Sequence, residues 1–346
     1  MVALSGGVDS AVAACLLKEQ GYEVTGVTMC LGVKAGESDR VRCCGPREVE
    51  DARNVCTALG IGHHVLDFAP ALKSFVIEPF IREYREGRTP NPCFQCNRHL
   101  KFGDLLGKAL AMGFHFLATG HYARIDSSSG RPRLLHARDA RKDQTYFLSG
   151  IAPEALERVL FPLAGFTKDE VRTVAREANL PVSTKPESQD ICFIPDGDTE
   201  KFLRERIDIS SGDLVDEQGV VVGRHRGLAL YTIGQRARLG LSRGRPAYVI
   251  GKDPATGRIT VGGRELLFSR GLRAEGVTSF VGELPFRARA QIRYAHAPAP
   301  CTATLEGDRL EVVFDQPQEA VTPGQTVALY DEDGLLASGI IQEAVP

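Results

Sequence analysis

Six residues near the start of the chain have the types and spacing for phosphate chemistry: Ser5-Gly6-Gly7-Val8-Asp9-Ser10. Glycines let a backbone turn tightly and aim successive N–H groups at one point. Ser5 and Ser10 add hydroxyl donors, and a helix starting here would add its positive end. The string is not a Walker loop, because no Gly-Lys-Ser/Thr supplies a lysine for β- and γ-phosphates. Nor is it Gly-x-Gly-x-x-Gly. Asp9 would repel phosphates unless it holds Mg²⁺. The string therefore reads as a cradle for a pyrophosphate with a metal-binding acid. A turn that happens to be rich in glycine accounts for Gly6-Gly7 but not for the rest.

The chain has nine cysteines, an odd number at irregular spacing, which argues against a secreted disulfide scaffold. Cys93 and Cys96 lie in Thr89-Pro90-Asn91-Pro92-Cys93-Phe94-Gln95-Cys96-Asn97. Two prolines in four residues predict a stiffened loop ahead of a helix from Leu100. Cys192 follows the polar run Ser188-Gln189-Asp190. A thiol near cations or a helix N-terminus ionises more easily and is a better nucleophile. Three chemistries compete. Structural zinc commonly wants two paired ligand sets, and a second Cys-x-x-Cys is missing. A thiol pair can carry a persulfide on one sulfur and resolve it with the other. Cys93, Cys96 and Cys192 can instead hold an iron–sulfur cluster with one iron open. Cys15, Cys30, Cys56 and Cys301 read as core filler. No chemistry is read from Cys43-Cys44.

These residues need elements to place them. Short β-branched runs alternate with helical patterns over the first 120 residues: strands at Val2–Leu4, Glu23–Met29, His64–Phe68 and Phe114–Thr119, helices at Ser10–Glu19, Glu48–Leu59 and Leu100–Met112. That alternation predicts an α/β domain built on a parallel sheet, with ligands beyond the carboxyl ends of the strands. Residues 151–181 read as helical, with Thr167 and Glu170 forming a capping box. Beyond about Asp196, short strands are expected at Ala247–Ile250, Ile259–Val261, Ala288–Ile292, Ala303–Leu305, Leu310–Phe314 and Thr326–Tyr330, a pattern of sandwich or barrel modules. The expected domains are 1–196, 197–263 and 264–346.

Composition fits this division. The 346 residues are 43% apolar and 25% charged, ordinary for a globular protein and unlike collagen, coiled coil or long disorder. No apolar run nears the roughly 18 residues of a membrane span, and no leader pattern opens the chain, so a cytoplasmic protein is expected. The net charge of −2 hides a basic block: residues 224–293 carry 14 Lys/Arg against 4 Asp/Glu, or +10. Residues 294–346 carry 1 against 9, or −8. A basic block attracts phosphate backbones, although a solvated arginine-rich face is the plainer alternative. The acidic end is expected to face away from RNA or solvent-ward.

Ser5–Ser10 resembles the PP-loop of ATP pyrophosphatases, which pass AMP to a carbonyl oxygen before a nucleophile displaces it. Over nearly its whole length the chain is similar to bacterial tRNA-specific 2-thiouridylases. The matching stretches are Ser5–Ser10, Val49–Leu66, Gly87–Phe102, Ala118–Tyr122, Lys142–Leu148, Asp190–Ile194, Gly227–Leu241, Gln291–Tyr294 and Thr322–Gln325. The resemblance implies an adenine-nucleotide PP-loop domain, a small central module and a C-terminal β-barrel. It implies ATP at Ala3, Leu4, Ser5, Gly6, Gly7, Val8, Asp9, Ser10, Met29 and Gly120, with Mg²⁺ on Asp9. It makes Cys96 the nucleophile and Cys192 the persulfide carrier. It assigns tRNA contacts to Asn91, Pro92, Cys93, His121, Lys142, Asp143, Gln144, Arg293, Tyr294 and Gln325. The arginines Arg224, Arg226, Arg236, Arg238, Arg243 and Arg245 would track the RNA backbone.

The implied reaction turns the wobble uridine of the anticodon stem-loop into 2-thiouridine, with a cysteine desulfurase or relay protein as sulfur donor; a monomer binding one tRNA is expected. Many relatives carry Asp where this chain has Cys93. The Asp form suits a two-cysteine persulfide and disulfide cycle, whereas a third cysteine allows a [4Fe-4S] cluster. The rivals are another PP-loop enzyme, such as an amidotransferase-type synthetase or a thiolase acting elsewhere on tRNA, and a tRNA-binding module without catalysis.

Overall fold

A computed structural model describes residues 1–32, 46–128, 130–187, 191–194, 197–237, 239–241, 246–281, 285–332 and 334–346. Cys43, Cys44, Ser188-Gln189-Asp190, Arg238, Arg243 and Arg245 lie outside the described residues. The chain forms two compact units. The first comprises Met1–Val76, Cys93–Gly197 and Asp333–Leu335; the second comprises Ile77–Pro92, Asp198–Glu332 and Leu336–Pro346.

The first unit is built on a parallel sheet. Strands β1 (Val2–Ala3), β2 (Thr25–Cys30), β3 (Gly62–Asp67) and β4 (Leu117–Thr119) are followed by a hairpin of β5 (Arg124–Asp126) and β6 (Arg133–Leu135), then by β7 (Val159–Leu160). The sheet order is β3-β2-β1-β4-β7, with every pair parallel. The chain runs outward from β1 to β3, then returns to the other flank of β1. That reversal leaves a crevice between the carboxyl ends of β1 and β4, where open α/β sheets bind ligands. Helix α1 (Val8–Glu19) is buried through Val8, Ala11, Val12, Ala13, Ala14 and Leu16, among others. It shares a core with α2 (Pro46–Leu59) and the helix Lys168–Glu177.

Two expectations fail here. Residues 151–181 are not helical throughout: a 3₁₀ turn Pro153–Arg158 leads into β7 before the helix Lys168–Glu177. A two-residue edge strand has no periodicity to read, and its identity comes from pairing Leu117 and Ala118 with Val159 and Leu160. Cys93 and Cys96 do not sit in a loop. Helix starts at Pro92 and runs on through a π-turn Cys96–Leu105 to Ala111. Pro92 occupies the first helical position, where a missing N–H costs nothing and the fixed φ helps.

The second unit contains β8 (Gly212–Val215), β9 (Val221–His225), β10 (Tyr248–Asp253) and β11 (Arg258–Gly262), in sheet order β10-β11-β8-β9. Its small core is Leu214, Tyr231, Leu239, Val249, Ile259 and Val261. The remaining strands are β12 (Phe268–Ser279), β13 (Phe286–Gln291), β14 (Ala299–Glu306), β15 (Arg309–Glu319), β16 (Thr326–Tyr330) and β17 (Leu335–Val345). They close into a barrel in the order β12-β15-β14-β13-β16-β17. Alternation fills it: on β15, Leu310, Val312 and Phe314 point inward while Glu311 and Val313 do not. Cys301 is fully buried there, and Cys15, Cys30 and Cys56 are buried in the first unit, so all four are core filler.

Candidate active site

The loop between β1 and α1 has the form its residues predict. Gly6 has φ +70, and a Cβ there would stand 2.5 Å from the Glu48 carbonyl oxygen, so only glycine fits. Ser10 Oγ accepts from the Ser5 N–H at 3.2 Å and donates to the Gly7 carbonyl at 3.1 Å. These bonds fold the loop back on the helix start. Gly7 is the N-cap, so the first free N–H groups of α1 face the loop. Met29 lies one residue before the end of β2, and Gly120 directly follows β4. A Cβ on Gly120 would come within 2.6 Å of the Ser10 amide and 2.7 Å of the Asp9 carbonyl carbon. The structure thus brings Ser5–Ser10, Met29 and Gly120 to the carboxyl ends of three adjacent strands.

Asp9 is gripped by a cation already. Lys168 Nζ donates to its two carboxylate oxygens at 2.6 and 2.7 Å, and Tyr122 Oη donates at 2.8 Å. The Lys168 side chain is only 8% exposed. Burial, then the Asp9 charge, push the Tyr122 hydroxyl far above its ordinary range, so it stays a donor. Lys185 caps the other side of the loop, donating to the Gly6 carbonyl at 3.0 Å and to Asp51 at 2.6 Å. Mg²⁺, which takes one or two protein carboxylates and fills its shell with phosphate and water, would have to compete with this ammonium for Asp9. Sequence reading missed Lys168, Lys185 and Tyr122. No local pattern marks Lys168, which lies 159 residues from Asp9.

The cysteines share the first unit. Cys96 is buried; Cys93 and Cys192 present surface to solvent although protein mass surrounds both. Phe193 and Ile194 anchor the Cys192 turn by their burial. Phe94, 1% exposed, packs against Gly150 and anchors the other pair. The easy ionisation expected of these thiols is not found. Desolvation raises all three, taking Cys192 to about 12, and each thiol is raised further by or raises another. The mutual effect brings the three within electrostatic reach. Lys101 opposes the rise at every one of them. Among the described residues, no three His, Cys, Asp or Glu side chains converge as ligands of a single metal ion.

Lys101 is itself positioned. Its Nζ donates to His121 Nε2 at 3.2 Å. An ammonium can only donate, so Nε2 is unprotonated and Nδ1–H donates to Thr119 Oγ1 at 2.6 Å. Burial, then Lys101, hold His121 well below its usual range, hence neutral. Phe102 and Phe161 flank its ring. Both ring nitrogens of His121 are therefore used inside the protein.

Other expected tRNA contacts have internal partners too. Asp143 accepts from the Ala137 N–H at 2.7 Å and the Thr145 N–H at 3.1 Å, just ahead of the short helix Thr145–Leu148. Gln144 Oε1 accepts from the Tyr122 N–H at 2.9 Å. Lys142 pairs with Glu187 at 2.7 Å. In the second unit, Gln325 Nε2 donates to the Thr89 carbonyl at 2.8 Å, and Asn91 Nδ2 donates to Thr326 Oγ1 at 3.3 Å. Gln325 and Asn91 thereby fix the strap that runs into Pro92 and Cys93. Tyr294 is 45% exposed and Arg293 half-buried at the end of β13.

Three sequence families match in series. Residues 1–196 match the tRNA methyl transferase HUP domain, 200–263 the tRNA methyl transferase PRC-barrel domain, and 269–341 the aminomethyltransferase beta-barrel domain. A tRNA-specific 2-thiouridylase of Syntrophus aciditrophicus is 53% identical over 346 residues, covering 100% of this chain and 93% of its own. One of Carboxydothermus hydrogenoformans is 46% identical, covering 99% of this chain and 97% of its own. This chain belongs to the tRNA-specific 2-thiouridylase family. A solved NMN synthetase of Francisella tularensis aligns at TM-score 0.35 and 17% identity over 58% of this chain and 69% of its own, too slight a likeness to bear on the fold. Family membership removes the amidotransferase-type synthetase as a reading, and no observation favours the cluster or the inactive binding module. The site carries a third thiol, Cys93, in the first helical turn ahead of Cys96. No helix among the described residues is long and apolar enough to cross a membrane.

Proposed function

We propose that this chain uses ATP to convert the wobble uridine of tRNA to 2-thiouridine. Full-length identity of 53% with a 2-thiouridylase carries the reading, supported by Asp9, Cys96 and Cys192 standing together in one unit. Uridine O2 is a poor leaving group. Its attack on the α-phosphorus of ATP expels pyrophosphate and makes it part of AMP, a good one. The Gly6-Gly7 loop and the start of α1 bind the phosphates, and Met29 and Gly120 flank the nucleotide. Mg²⁺ bound at Asp9 would neutralise charge growing on the leaving pyrophosphate.

Cys192 carries the sulfur as a persulfide. Its terminal sulfur attacks C2 and AMP departs. Cys96 then attacks the inner sulfur, which frees 2-thiouridine and leaves a Cys96–Cys192 disulfide. A thiol reductant restores both thiols. The Lys101 ammonium favours the anionic sulfur at each stage. Asn91, Pro92 and Cys93 meet the target base, which leaves its stack cheaply in an anticodon loop. His121, Lys142, Asp143, Gln144, Arg293, Tyr294 and Gln325 shape the tRNA surface, several of them by holding loops in place.

Residues 1–196 form the catalytic domain, 197–263 a central tRNA-binding module and 264–346 a tRNA-binding barrel. The protein acts as a cytoplasmic monomer fed by a cysteine desulfurase or relay protein. Incubation of unmodified tRNA with ATP, Mg²⁺ and a persulfide donor should give 2-thiouridine by nucleoside mass spectrometry. Cys96→Ser and Cys192→Ser should each abolish it, while Cys93→Ser retains it. Absence of product with the unaltered protein would defeat the proposal.

A further inference from the structure

Four charges alternate along one line in the first unit. Lys142 Nζ meets Glu187 Oε2 at 2.7 Å, Glu187 Oε1 meets Lys168 Nζ at 3.3 Å, and Lys168 Nζ meets Asp9 at 2.6 Å. Lys168 is 8% exposed and needs a carboxylate wherever it points. It has two within reach. Lys142 is the most open of the four, at 36%. Arg172 adds a third cation to Glu187, at 3.9 Å. Lys142, then Lys168, hold the Glu187 carboxyl below the usual range, so it is ionised.

We propose that Glu187 is a positioning residue that couples the RNA contact of Lys142 to the metal–ATP site through Lys168. The inference rests on the proposed function for the roles of Lys142 and Asp9. A divalent ion on Asp9 takes Lys168's closest partner and repels its ammonium toward Glu187. Glu187 then has a surplus of cations and releases Lys142, the one with easiest access to a phosphate. RNA that takes Lys142 leaves Glu187 short of a cation and draws Lys168 off Asp9. Each event makes the other easier, so both affinities rise by one common factor.

The test is binding rather than turnover. The full chain is titrated with a fluorescent α,β-methylene-ATP and Mg²⁺, with and without saturating unmodified tRNA. RNA should tighten nucleotide binding by about tenfold, and nucleotide should tighten RNA binding by the same factor. Glu187→Gln should still bind each ligand alone, with coupling reduced to under about twofold. Lys142→Gln should lose the coupling likewise, and it serves if Glu187→Gln fails to fold. Wild-type coupling in both variants overturns the inference. Independent binding of the two ligands to the unaltered protein also overturns it while leaving the proposed function intact. Failure of the unaltered protein to bind either ligand defeats the proposed function, and this inference with it.

Discussion

Lys101 is the residue on which the reactivity of the thiols turns. Burial holds Cys93, Cys96 and Cys192 in the neutral form, and Lys101 is the one described cation that opposes it at all three. Only the thiolate is alkylated, so iodoacetamide labelling of Cys192 should be slow at neutral pH. With its pKa pushed up to about 12, the rate should climb across the whole range from pH 7 to 10 without a plateau. Lys101→Met should slow labelling several-fold at fixed pH, and Lys101→Arg should restore most of it. Peptide mass spectrometry at timed intervals reads both. A plateau near pH 8 would mean that the thiol is already activated before sulfur arrives. Free thiols held neutral suit a site that waits for a sulfur donor, since a persulfide ionises more readily than a thiol.

At the scale of elements, the helix Lys168–Glu177 ties local sequence to the site. Its capping box is present: the Glu170 N–H donates to Thr167 Oγ1 at 3.3 Å, and the Thr167 N–H donates to Glu170 at 2.7 Å. The residue that the cap secures is Lys168, whose own N–H donates to Asp139 at 3.0 Å. Thr167→Ala should cost about 1 kcal/mol, or roughly 2–4 °C in the calorimetric transition of a unit this size. Thr167→Ser should keep the stability, because its hydroxyl can still accept the Glu170 N–H. The capping box was legible as Thr-x-x-Glu. The helix start at Pro92 was misread because two prolines suggest a loop until one of them proves to be the first helical residue. β7 was invisible for want of any pattern in two residues.

On the scale of the whole chain, the charge blocks do not survive folding as blocks. Arginines of the basic segment pair with acids of the tail across the barrel: Arg264 with Glu319 at 2.8 Å, Arg273 with Glu343 at 2.6 Å and Arg287 with Asp315 at 2.6 Å. Arg224 and Arg226 face Asp213 and Glu200 at 3.7 and 3.6 Å. The acidic tail therefore does not simply turn away into solvent; much of it neutralises the basic block. Exposed pairs like these add little stability, but they remove arginines from the set open to phosphate. Arg236 is exposed and makes no ion pair among the described residues. Arg236→Ala should weaken tRNA binding and flatten the slope of log K against log salt by about one, as for one lost phosphate contact. Arg287→Ala should change neither, and anisotropy titrations at several salt concentrations compare the two. A loss at Arg287 equal to that at Arg236 would show that RNA displaces Asp315.

By itself the sequence determined what short-range chemistry can specify. Ser5–Ser10 had to turn and cap a helix because two glycines and two hydroxyls sit at that spacing. The alternation of strands and helices required a parallel sheet, and period-two runs such as Leu310–Phe314 required strands of a sandwich or barrel. Only the tertiary structure decided which distant groups meet. Lys168 on Asp9, Lys101 beside three thiols, and Glu187 between two lysines join residues far apart in the chain, and no local pattern encodes such a meeting. It also reversed the sign of the cysteine expectation. A motif names a thiol, but its ionisation depends on how much protein surrounds it, which is a property of the packed volume and not of the neighbouring residues.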